Sequence, residues 1–177
     1  MYKKIPIVNV GGYFTILLFT LFFKQESNNA MLYLIVALIT FGTTINMVLF
    51  YLFKKQTPDD RNCIKWGWYN SVNSMMIGLF WSMFLIWVFE PSSSQNAYLV
   101  MFICASYIVG SAPVLSAFLP TYTLFVMAFS LPLISTWLLS DVLSYQFIGI
   151  MVGVEVTFML TFSFWLNRTW AHSIGLQ

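Results

Sequence analysis

Six apolar stretches, each close to the length a helix needs to cross a bilayer, constrain this chain more than any other feature. A helix rises about 1.5 Å per residue, so roughly 20 residues cover a hydrocarbon core about 30 Å thick. The stretches run over residues 7–23, 30–53, 66–89, 97–119, 122–139 and 143–166. Of the 177 residues 59% are hydrophobic and only 8% charged, against roughly 25% charged in an ordinary water-soluble domain. No soluble fold of this size could hide that much apolar surface. The expected fold is therefore an all-α integral membrane protein, one transmembrane domain over residues 1–177 built as a bundle of six helices.

Polar clusters separate the stretches. Lys24 to Asn29 divides the first two, the basic pair Lys54-Lys55 closes the second, and Glu90-Pro91-Ser92-Ser93-Ser94-Gln95 closes the third. Pro120 and Thr121 mark a tight reversal between the fourth and fifth, since proline cannot donate inside a helix and disfavours helix in the residue before it. Ser140-Asp141 precedes the sixth. Lys3 and Lys4 before an apolar run also suit a signal peptide, but the run is longer than a signal core and no small-x-small cleavage site precedes Lys24. It is taken as a membrane helix.

Basic residues in short loops stay on the cytoplasmic side. With six spans and the N-terminus inside, Lys3, Lys4, Lys54, Lys55, Arg61, Lys65 and Arg168 all face the cytoplasm, and only Lys24 falls outside. Both termini are then cytoplasmic and the chain is multi-pass. Arg168 to Gln177 carries no terminating signal, so the chain is expected to continue into the cytoplasm.

Helices associate in lipid through small residues that let backbones approach and polar side chains that bond across the interface. Gly149, Gly153, Thr157 and Thr161 recur every four residues in 143–166, and Asn70, Ser74, Gly78 and Ser82 do the same in 66–89, with Asn73 close by. Gly110, followed by Ser111 and Pro113, adds a small-residue patch in 97–119. Gly78, Gly110, Gly149, Gly153 and Thr157 are the expected packing positions. Glu155 is the one carboxylate deep inside a span, where an ionisable group is costly and usually faces a cavity or a partner. Three roles stay open for it: a neutral acid bonded to Asn or Ser of another helix, a receptor for a ligand's polar group, or a proton or cation carrier. Pro113 and Pro132 kink helices and open space between them. Glu155, Asn70, Asn73, Ser74 and Pro113 are thus the candidate sensing or ligand-binding residues.

Enzymatic chemistry is not expected within these residues. His172 is the sole histidine and Cys63 and Cys104 are the two cysteines, too few for the usual zinc constellations. No phosphate loop, dinucleotide fingerprint or GxSxG is present. No cofactor, metal or nucleic-acid partner is expected.

Several short patterns lie between Arg61 and Gln177: Arg61 and Trp66, Gly78-Leu79-Phe80-Trp81, Gly110-Ser111-Ala112-Pro113, Ala117-Phe118-Leu119-Pro120, Leu131-Pro132 and Leu166-Asn167-Arg168-Thr169. In these, about two-thirds of the chain resembles the N-terminal membrane module of bacterial hybrid sensor histidine kinases and diguanylate cyclases. The resemblance implies a sensory input bundle that receives a membrane or lipophilic-ligand cue and relays it through its last helix. It also implies a homodimer, and a histidine-kinase output domain serving a response regulator in a two-component phosphorelay. It supplies no functional residues to transfer. The alternative is the solute-binding membrane subunit of an energy-coupling-factor transporter, but the first stretch lacks the alanines such subunits use for docking.

Overall fold

The computed structural model describes residues 13–14, 16–17, 20–21, 29–55, 60–88, 94–115 and 118–175. They are helical almost throughout. Five helices follow one another as α1 (Asn29–Lys55), α2 (Asp60–Val88), α3 (Ser94–Leu115), α4 (Leu119–Leu138) and α5 (Leu143–Gly175). The expected first span, 7–23, lies largely outside the described residues, and its described positions 13–14, 16–17 and 20–21 are helical. Tyr13 and Thr44 share a hydroxyl hydrogen bond of 2.9 Å, which sets this segment beside α1.

Among the described residues, three helices are long and apolar enough to cross a membrane. They are α1 over Ala30–Lys55, α4, and α5 over Leu143–Thr169, with a shorter apolar segment, Met101–Ala112, inside α3. Large side chains such as Leu143, Phe147, Val154 and Phe158 point outwards from α5, as a lipid-facing surface requires.

The helices outrun the expected stretches at their polar ends. α2 starts at Asp60 rather than at 66, and α5 runs to Gly175 rather than to 166. Hydropathy marks where a segment leaves the apolar phase, whereas backbone hydrogen bonding continues the helix through polar residues. The reversal before α4 also differs in detail. Phe118 is extended at the N-cap, with φ −125° and ψ 100°, and Pro120 lies in the first turn. Proline is tolerated there because the N–H it lacks would have no helical partner.

α4 meets three of the other helices: it packs most extensively on α2 and also on α5 and α3, while α2 also packs on α1 and α5 on α3. Gly78 sets the α2–α4 crossing: a Cβ built there would stand 2.7 Å from the Phe125 carbonyl oxygen and 3.2 Å from the Phe129 nitrogen. Only a residue without a side chain permits such an approach. Around the crossing, Trp81 lies 4.8 Å from the Tyr107 ring, and Tyr107 stacks on Phe129 at 5.9 Å. These aromatic pairs tie α2, α3 and α4 together at ordinary stacking separations.

Candidate functional site

Two polar clusters lie inside the bundle, and α4 contributes to both. The first is on the α1–α2–α4 side. Asn70, Ser71, Asn73 and Ser74 of α2 are all buried. Asn73 Nδ2 donates to the Gly42 carbonyl of α1 at 3.2 Å. Ser71 Oγ donates to the Gly67 carbonyl at 2.8 Å and lies 2.7 Å from Thr121 Oγ1 of α4. A serine has one hydroxyl proton, so the Thr121 hydroxyl is the donor in that second bond. Replacing Asn73 with Ala should lower stability by about 0.6 kcal/mol and at most about 1.7 kcal/mol, the range for interhelical hydrogen bonds in membranes. Unfolding in mixed micelles would measure it.

The second cluster lies where α3, α4 and α5 meet. Tyr122, fully buried, donates from its hydroxyl to the Ile108 carbonyl of α3 at 3.1 Å, an oxygen that also accepts from Ser111 Oγ at 3.0 Å. This doubly bonded carbonyl sits one turn before Pro113. Pro113 itself lies in the last turn of α3, and its side chain is outside the described residues. Glu155 of α5 is half-buried and within electrostatic range of the buried Cys104 of α3 and of Tyr122. Only burial acts on its carboxyl, and no cation is set against it among the described residues. The Ser163 hydroxyl, also on α5, lies beside the Tyr122 phenol but at a geometry that forms no hydrogen bond, and it is fully enclosed.

The candidate residues therefore separate. Asn70, Asn73 and Ser74 stay with α2 in the first cluster, and Glu155 belongs to the second. Consecutive residues of α4, Thr121 and Tyr122, serve one cluster each. Of the packing positions, Gly78 meets α4 backbone and Gly149 meets Leu138 and Trp137 of α4 at 3.3–3.4 Å, while Gly110 and Gly153 have nothing within 4 Å. The α5 stripe thus divides along its length. Gly149 packs inwards, whereas Gly153, Thr157 and Thr161 line an open groove of about 550 Å³ on the outer side. Both threonine hydroxyls donate to carbonyls of α5 itself at 2.9 Å, which leaves their methyl groups towards the groove.

Sequence reasoning misses Cys104 and Tyr122 as neighbours of Glu155, and Ser163 as the neighbour of Tyr122. The only available signal was the four-residue step from Glu155 through Met159 to Ser163 along α5, and it says nothing about which helix faces it. No group of three or more His, Cys, Asp or Glu suited to a metal ion occurs among the described residues. No family model, curated protein or solved structure matches the chain.

Proposed function

We propose that this chain is the membrane-embedded input module of a bacterial signal-transduction protein, a sensor histidine kinase before a diguanylate cyclase. It would act as a dimer in the inner membrane, with six spans and both termini in the cytoplasm. The observation that carries this reading is the half-buried Glu155 carboxyl on α5, a helix that continues past its apolar stretch through Arg168 to Gly175. An intramembrane carboxyl without a cation is expensive to keep for packing alone. Here it sits on the element best placed to carry a change out of the membrane. The likeness of residues 61–177 to sensory membrane modules supports the same assignment.

The mechanism is a two-state one. A lipophilic ligand, or a property of the bilayer, favours one packing of α5 against α3 and α4, and only a difference in affinity between the two packings shifts their populations. The output chemistry, phosphorelay to a response regulator, belongs to the domain beyond the membrane.

Two experiments test this. The coding sequence past Gln177 should encode a dimerisation helix with a phospho-acceptor histidine and an ATP-binding domain, or a nucleotide-cyclase domain. A stop codon there would reject the input-module reading and leave a solute-binding transporter subunit as the better account. In the full protein, Glu155→Gln keeps the shape of the side chain and removes its capacity to ionise. It should change basal output about fivefold, the lower end of usual coupling between sites. Unchanged output at normal expression would remove Glu155 from the mechanism.

A further inference from the structure

The connection between α1 and α2 gathers positive charge at one end of a helical hairpin. Lys54 and Lys55 end α1, Lys65 lies in the second turn of α2, and all three are exposed. Lys55 and Lys65 each lie against an aromatic ring. Lys55 Nζ lies 5.2 Å from the centre of the Tyr51 ring, and Lys65 Nζ lies 5.9 Å from the centre of the Tyr69 ring. Tyr51 precedes Lys55 by four residues and Tyr69 follows Lys65 by four. Because α1 runs into the connection and α2 runs out of it, each tyrosine stands about one turn closer to the body of the bundle than its lysine.

Aromatic contacts hold the two helix ends together at this level. Phe53 of α1 meets Trp66 of α2 edge-on at 6.0 Å, and Trp66 meets Tyr69 edge-on at 5.8 Å. Tryptophan and tyrosine favour the headgroup level of a bilayer. A ring attracts an ammonium through its quadrupole and leaves the N–H donors open to an oxygen acceptor. The connection also holds Asp59, Asp60 and Arg61, so residues 54–65 keep an excess of two positive charges.

We propose that this end of the α1–α2 hairpin is a binding site for the phosphodiester headgroup of an anionic phospholipid. Lys54, Lys55 and Lys65 donate to the phosphate oxygens, Tyr51 and Tyr69 hold the ammonium groups of Lys55 and Lys65 at the depth of that phosphate, and Trp66 braces Tyr69. The excess positive charge selects a net-negative headgroup over a zwitterionic one, whose own ammonium is repelled. This site does not depend on the sensory role of α5.

Native mass spectrometry of the whole chain in detergent, titrated with phosphatidylglycerol and in parallel with phosphatidylcholine, tests the site. Phosphatidylglycerol should bind about tenfold more tightly, on the scale of attraction between a few basic residues and anionic lipid. The triple variant Lys54→Gln, Lys55→Gln, Lys65→Gln should lose the preference, the corresponding triple Lys→Arg variant should keep it, and Arg168→Gln, which removes an exposed cation from α5, should leave it intact. Tyr51→Leu with Tyr69→Leu should weaken it with every lysine present. Equal affinity for the two lipids, or a preference that survives the Lys→Gln triple, would overturn the proposal. Displacement of the lipid by inorganic phosphate at equal concentration would show a general anion site and overturn the lipid assignment.

Discussion

Gly78→Leu should abolish the native bundle, and Gly78→Ala should already destabilise it by about 1–3 kcal/mol, the cost of forcing extra carbon into a packed contact. The reason is the identity of the obstructing atoms. A Cβ at Gly78 meets the carbonyl oxygen of Phe125 at 2.7 Å and the amide nitrogen of Phe129 at 3.2 Å, and backbone cannot rotate away as a side chain can. The whole α4 helix must retreat from α2, which loosens Trp81, Tyr107 and Phe129 together. The same substitution at Gly42 provides a contrast, because a Cβ there meets Ile77 Cγ1 at 2.8 Å. That atom belongs to a side chain with other rotamers, so Gly42→Ala should cost less. Gly153→Ala, with nothing within 4 Å, should leave stability of the single chain nearly unchanged. Thermal or denaturant unfolding in one detergent ranks the three, and an order other than Gly78, Gly42, Gly153 would contradict the crossing geometry.

Tyr122→Ala should be the most damaging single truncation in the α3–α4–α5 cluster, at about 3–5 kcal/mol for loss of a buried large side chain. The ring is fully buried and joins three helices: it stands on α4, its hydroxyl reaches the Ile108 carbonyl of α3, and Ser163 of α5 lies beside it. Tyr122→Phe separates the two contributions. It keeps the ring and removes the donor, leaving Ile108 with its bond from Ser111, and should cost about 1 kcal/mol. If Tyr122→Phe cost as much as Tyr122→Ala, the hydroxyl rather than the ring would organise the junction.

Much of this architecture is visible in the sequence, because lipid imposes one rule that a single chain must obey: backbone polar groups are satisfied within each spanning segment. That rule makes an apolar run a helix, and it places α1, α3, α4 and the apolar part of α5 where hydropathy puts them. It is silent about helix ends in water, so it does not reach the Asp60–Lys65 start of α2 or the Asn167–Gly175 end of α5. Pairing between helices was legible only in part. Asn70, Ser74 and Gly78, which recur every four residues in α2, are all buried. The repeat in α5 marks a face that turns inwards at Gly149 and outwards from Gly153, since a step of four residues drifts around a helix of 3.6 residues per turn. The neighbours of Glu155 were not legible at all. Cys104 and Tyr122 lie 51 and 33 residues before it, and spacing within one helix carries no information on which helix stands opposite.

α2 is the least apolar of the five described helices. Its buried polar side chains find partners on α1, made before it, and on α4, whose Thr121 is synthesised 50 residues after Ser71. When α2 first leaves the ribosome, α4 does not yet exist and Ser71 bonds only the Gly67 carbonyl of its own helix. Asn73 can reach Gly42 at once, but Ser71 must wait for α4 before its bond with Thr121 forms and Gly78 is covered. Chain order alone therefore makes the α1–α2 contact available before the α2–α4 contact.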